Sequence, residues 1–116
     1  MAKVNGLDWS SWNTITDYQA VKNDPAQYKF VFVKATEGTG YRANYQGQMD
    51  GAESIGLLRG MYHFYRQAAS PSYQAAYFTN WAKKGELPPV LDFEDTDGLK
   101  VYGGRAMFEG AKVWLS

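Results

Sequence analysis

The chain has 116 residues, and its twelve basic residues balance twelve acidic ones. A neutral balance without a basic run argues against a nucleic-acid partner, and no stretch approaches the ~20 apolar residues of a membrane span. Cysteine is absent, which excludes a disulfide framework, a thiolate zinc site and a catalytic thiol.

The length suits one small domain with a single core. Nine Tyr, six Phe and four Trp supply aromatic surface for that core and for stacking on a ring-shaped ligand. The first residues, "MAKVNGLDWSSW", hold no long apolar segment and no small-residue cleavage site, so no signal peptide is visible.

In chain order, the first apolar run, Val4 to Leu7, reads as a strand that leads to Asp8. "TDYQAVKND" reads as a helix with Thr16 as its N-cap. "KFVFVKA", Lys29 to Ala35, is the strongest strand, aromatic and β-branched from Phe30 to Val33. "NYQGQMDGAESIG" carries Tyr45, Met49, Ala52 and Ile55 at helical spacing, with Gly56 as its stop. "LLRGMYHFY", Leu57 to Tyr65, is a third strand. "SPSYQAAYFTNWAKKG" is the clearest helix: Ser70 caps it, Pro71 sits in its first turn and Gly85 ends it. Tyr73, Ala76, Tyr77 and Trp81 are expected to form its core face. Val90 to Phe93 is the fourth strand, and a last helix runs from about Arg105 to the end. Strands alternating with helices, each strand a near-continuous apolar run, predict an α/β fold with a parallel sheet covered on both faces.

The polar residues cluster by position. Asp8 follows the first strand, Lys34 and Glu37 close the second, Tyr62 and His63 fall late in the third, and Asp92 and Glu94 end the fourth. These are the C-terminal ends of the strands, where parallel α/β folds build their sites. Asp92 and Glu94 are i and i+2 on one strand, so they share a face with α-carbons roughly 6.5 Å apart. That spacing suits two carboxyls acting on one bond, one held protonated and one ionised. Asp95 and Asp97 read as turn caps. Lys34 and Glu37 read equally well as a structural ion pair or as site residues. His63 alternates with Tyr62 and Phe64, which turns it towards the helices as a hydrogen-bonded core histidine. Trp9, Tyr41 and Tyr62 are candidate platforms for a ring-shaped ligand. A carboxylate-bound Mg²⁺ is the weaker reading, because no glycine-rich phosphate loop accompanies the acids; no cofactor and no metal are expected.

Four segments resemble, in order and spacing, the motifs of glycoside hydrolase family 25, the Chalaropsis-type lysozymes of phage endolysins and autolysins. They are "GLDWSSW" (6–12), "FVFVKATEGTGY" (30–41), "GMYHFYR" (60–66) and "LPPVLDFED" (87–95). The resemblance implies cleavage of the N-acetylmuramic acid to N-acetylglucosamine bond of peptidoglycan. It makes Glu94 the general acid/base and gives Asp92 the task of steadying the charged intermediate or the substrate acetamido group. Asp8 and Glu37 match acidic active-site positions, Tyr62 matches an aromatic hydroxyl at the sugar site, and Lys34 and Tyr41 match its neighbours. The spacing leaves inversion, retention and substrate assistance open; analogy with other Asp-x-Glu hydrolases favours the last.

The family domain is a β/α barrel of nearly twice this length. Residues 1–116 are therefore expected to be half of a TIM-like barrel, truncated after the fourth βα unit. The expected partners are a peptidoglycan glycan strand and, across the open sheet edges, a second copy or a complementary half barrel; nucleic acid and membrane are not among them. The expected setting is the bacterial wall, reached by phage-encoded release at host lysis. The alternative is an inactive half barrel that binds wall glycan or a partner half.

Overall fold

The computed structural model describes residues 3–94 and 104–116. The described strands are β1 (Asn5–Trp9), β2 (Tyr28–Glu37), β3 (Tyr41–Arg42), β4 (Leu58–Phe64) and β5 (Val90–Asp92). The described helices are α1 (Tyr18–Lys22), α2 (Gln46–Ser54), α3 (Pro71–Trp81) and α4 (Gly104–Leu115). Strands β1, β2, β4 and β5 run parallel in that spatial order. The strand–helix alternation predicts this parallel sheet, and the family resemblance predicts its curl into half of a β/α barrel. β3 was not anticipated: the chain turns through Gly38–Gly40 and pairs antiparallel with the end of β2.

Alternation along each strand separates two faces. Val31, Val33, Met61, His63 and Tyr65 point to the helices and are buried. Phe30, Phe32, Tyr62 and Phe64 point to the inner, concave face, where all but Tyr62 are only partly covered. Leu58, in register with Phe30, is 48% exposed there. Glycines make room for the inner rings. A Cβ on Gly60 would lie 2.5 Å from the Phe32 ring, and one on Gly6 would overlap the Phe30 ring. Phe30 and Phe32 meet edge to face at 6.0 Å between centroids.

β2 carries one irregularity. Lys34 pairs with Tyr62, yet Thr36 pairs with His63 and Glu37 with Phe64, so β2 uses one residue more than β4 at Ala35. Such an extra residue flips the alternation. Lys34 and Glu37, three apart and on opposite faces of a regular strand, therefore share the inner face.

The helix side is organised around a buried polar node. Gln74 of α3 and His63 of β4 are both fully buried. The Gln74 amide nitrogen donates to the carbonyls of Arg66 and Ala69 at 2.8 and 3.1 Å. Its oxygen therefore accepts, from the Arg66 backbone N–H at 3.0 Å and from His63 Nε2 at 2.8 Å. That assignment leaves His63 Nδ1 to accept from the Thr36 hydroxyl at 2.7 Å. Burial pushes the His63 pKa down, against the hydrogen bond to Gln74, so the ring is neutral and both nitrogens are satisfied. Trp114 of α4 stacks on it at 5.5 Å.

Three local expectations change. Asp17 rather than Thr16 caps α1, accepting from the Ala20 N–H at 3.2 Å. α3 begins as expected, with Ser70 as cap and Pro71 in the first turn, but ends at Trp81. Gly85 instead lies where the chain crosses the Arg59 carbonyl, too close for a Cβ. The core face of α3 is Gln74 and Phe78, whereas Tyr73 is 73% exposed. The amide won that face because only it can satisfy His63 and the Arg66 backbone; an unsatisfied buried group costs about 1–3 kcal/mol. Asp95 and Asp97, expected as turn caps, lie outside the described residues.

Candidate active site

The C-terminal ends of the parallel strands bring Asp8 (β1), Tyr62 (β4), Asp92 (β5) and Glu94 together around an open cleft of about 470 Å³ floored by Phe32 and Val90. The Asp92 backbone is fixed by the Tyr65 N–H, which donates to its carbonyl at 3.0 Å. Phe93, between the two acids, borders the cleft and packs edge to face on Tyr65.

Tyr62 reports how closely the acids converge. Its pKa is pushed up to about 12, first by burial and then by the charges of Asp8, Asp92 and Glu94, against a hydrogen bond with Ser10. The phenol therefore stays protonated and can donate one hydrogen bond as well as accept. Asp92 is raised from 3.8 to about 6 by burial, by its hydrogen bond with Glu94, and by the charges of Glu94 and Asp8, with Lys34 opposing. Two carboxyls in contact cannot both ionise cheaply, so the pair retains a proton well above the ordinary carboxylate range. One member can donate a proton while the other offers negative charge.

Beside the cleft, Lys34 and Glu37 form the ion pair at 2.5 Å that the β2 irregularity makes reachable. Arg66 binds the other Glu37 oxygen through Nη2 at 2.6 Å and Nε at 2.8 Å. Burial would raise the Glu37 pKa, but hydrogen bonds and charges from Lys34 and Arg66 outweigh it and hold the carboxyl below its usual range. The Lys34 ammonium also lies 5.1 Å from the ring centroids of both Tyr41 and Phe64. Lys34, Glu37 and Tyr41 are thus one cluster on the flank of the cleft.

Trp9 is a correction. It follows Asp8 directly, so it faces the helices; it is 4% exposed and packs edge to face on Tyr18. Its ring is core and cannot stack on a sugar. Two residues beside the candidate site were not singled out, Ser10 and Arg66. Both lie inside the motifs at 6–12 and 60–66, and their roles depend on partners remote in sequence.

The sequence model of glycosyl hydrolases family 25 matches residues 7–112. The chain belongs to glycosyl hydrolase family 25. It is 37% identical over 108 residues to Lysozyme M1 of Streptomyces globisporus, covering 86% of this chain and 36% of that protein. The muramidase structure from Acremonium alcalophilum superposes with a TM-score of 0.79 at 36% identity, over 97% of this chain and 58% of that one. The bacterial lysozyme structure from Streptomyces coelicolor gives 0.80 at 32% identity, over 97% and 56%. The family 25 chain thus spans little more than half the length of these solved relatives, and a smaller share of the curated one.

The raised Asp92 pKa has a consequence for stability. An unfolded Asp ionises near 3.8 and the folded one near 6, so the folded state binds the extra proton between those values. Stability from this group is complete below about pH 4 and is lost as the pH rises to about 6. Asp92→Asn, whose amide can still donate to Glu94, is expected to remove that loss. Urea midpoints from pH 3.5 to 7 should show the variant gaining on the parent through this window; a constant difference contradicts the shift.

Proposed function

We propose that this chain carries the acid/base machinery of a peptidoglycan hydrolase that cleaves the bond between N-acetylmuramic acid and N-acetylglucosamine. The observation that carries the reading is the convergence of Asp8, Asp92 and Glu94 on one open cleft at the strand ends, with Tyr62 among them. Family membership and the printed names of its relatives, lysozyme and muramidase, support the substrate class.

In the proposed route Glu94 donates a proton to the glycosidic oxygen as the C1–O bond breaks. The carbonyl oxygen of the substrate's own 2-acetamido group attacks C1 and forms a cyclic oxazolinium. Asp92, ionised once its shared proton resides on Glu94, accepts the acetamido N–H and balances the positive ring. Glu94, now a carboxylate, takes a proton from water as that water attacks C1; the ring opens and Glu94 regains its proton. Tyr62 and Asp8 orient the sugar by hydrogen bonding, and the Lys34–Glu37–Arg66 cluster fixes the wall on which Tyr41 stands.

Glu94→Gln keeps the shape and removes the acid, so turbidity loss of purified cell walls by the full protein should fall ~10²–10⁴-fold. Activity of the parent should decline above about pH 6, where the pair loses the proton that Asp92 retains, and should survive EDTA. Near-parent activity in Glu94→Gln contradicts the assignment.

We also propose that a second copy covers the inner face. Phe30, Phe32 and Leu58 leave apolar surface in water there, and β1 and β5 form the edges of the described sheet. Light scattering of the 116-residue chain at micromolar concentration should give a dimer; a compact, cooperatively melting monomer contradicts this.

A further inference from the structure

The turn after β1 holds a tryptophan almost wholly in water. Trp12 is 91% exposed, more than any other large hydrophobic residue among those described. Leaving an indole in water forgoes one of the largest burial gains a side chain offers. The turn that does so is not loose. The Asn13 N–H donates to the Ser10 carbonyl at 3.0 Å, and the Ser10 N–H donates to Asn13 Oδ1 at 2.9 Å. The Trp12 N–H donates to Ser10 Oγ at 3.2 Å. From α2, Gln48 Nε2 donates to the carbonyls of Ser10 and Asn13 at 2.9 and 3.1 Å. From β3, the Tyr41 hydroxyl donates to Ser11 Oγ at 2.9 Å.

Its location is equally defined. Ser10, inside the turn, follows by two residues Asp8, which lines the cleft. Tyr41, tied to Ser11, is 39% exposed and stands over the Lys34 ammonium. A rigid turn on the cleft rim therefore presents one exposed indole, with a half-exposed phenol ring tethered to it. Rigid, pre-ordered aromatic rings bind the apolar C–H face of a sugar at little entropic cost. Six hydrogen bonds fix the turn that carries the exposed Trp12 ring.

We propose that Trp12, flanked by Tyr41, forms an outer sugar-stacking subsite that grips the glycan strand beyond the sugars held at Asp92 and Glu94. This rests on the glycan-hydrolase reading above and adds a binding residue to it. Trp12 takes no part in bond cleavage. It lengthens the stretch of strand held and so favours polymer over short fragments.

The test is calorimetric titration with glycan strands freed of their stem peptides by amidase digestion of cell walls. Glu94→Gln serves as the parent so that the strands survive. Adding Trp12→Ala should weaken binding about tenfold, adding Trp12→Phe should restore most of it, and the melting temperature should not move, because the ring packs on nothing. Tryptophan emission of the parent should shift on titration, and the shift should shrink in Trp12→Phe. Equal affinity in all three proteins overturns the subsite and leaves the glycan reading intact. Absence of binding by the Glu94→Gln parent overturns the glycan reading, and the subsite with it. A dimer that falls apart only in Trp12→Ala makes the ring an interface residue and also overturns the proposal.

Discussion

Successive residues of a strand face opposite ways, and at β4 this rule places His63 under the helices and Tyr62 and Phe64 over the cleft. The two faces need opposite things. On the helix side His63 is neutral, with each nitrogen matched to one partner, Thr36 or Gln74. On the cleft side, three carboxyl groups gather around one protonated phenol. Gln74 links the two sides, because the same amide that satisfies His63 holds the Arg66 backbone from both its N–H and its carbonyl. Arg66 then reaches over the sheet end to Glu37, and Glu37 to Lys34. The cleft flank is thus anchored in the core rather than in a free loop.

The carboxyls are placed at a cost to the fold. Burial and mutual repulsion raise Asp92, and the sheet holds it against Glu94 nonetheless. Nearby cations are kept from neutralising the pair. Lys34 opposes the shift of Asp92, but its ammonium is bonded to Glu37 and lies between the Tyr41 and Phe64 rings. Glu37 is in turn shared with Arg66. The cluster thereby limits how far Lys34 can discharge the acids, and a proton remains on the pair where a lone salt bridge would have removed it.

Much of this was readable from residue order, for a physical reason in each case. The apolar run Phe30 to Val33 has no reading but a buried strand, and Asp92 and Glu94 fall two apart behind another. Parity alone separates Tyr62 from His63. The same parity, applied to Asp8, would have sent Trp9 to the core, since neighbours on a strand cannot both face the cleft. Other features depend on contacts that spacing does not carry. Lys34 and Glu37 meet because β2 gains a residue against β4 at Ala35. Tyr73, Tyr77 and Trp81 make a helical stripe that looks apolar, yet α3 buries Gln74, whose partners lie eight and eleven residues away. Trp12 carries no sequence signal of its exposure, which follows from the turn that holds it in water.

The shared proton is the central claim, and it can be observed directly. Carbon-13 labelling of aspartate and glutamate carboxyls, followed by NMR across pH 3 to 8, reads the Asp92 titration in the folded chain. The account predicts an Asp92 midpoint near 6 that moves down when Glu94→Gln removes the neighbouring charge. An Asp92 midpoint close to the ordinary 3.8, unmoved by that substitution, would contradict it.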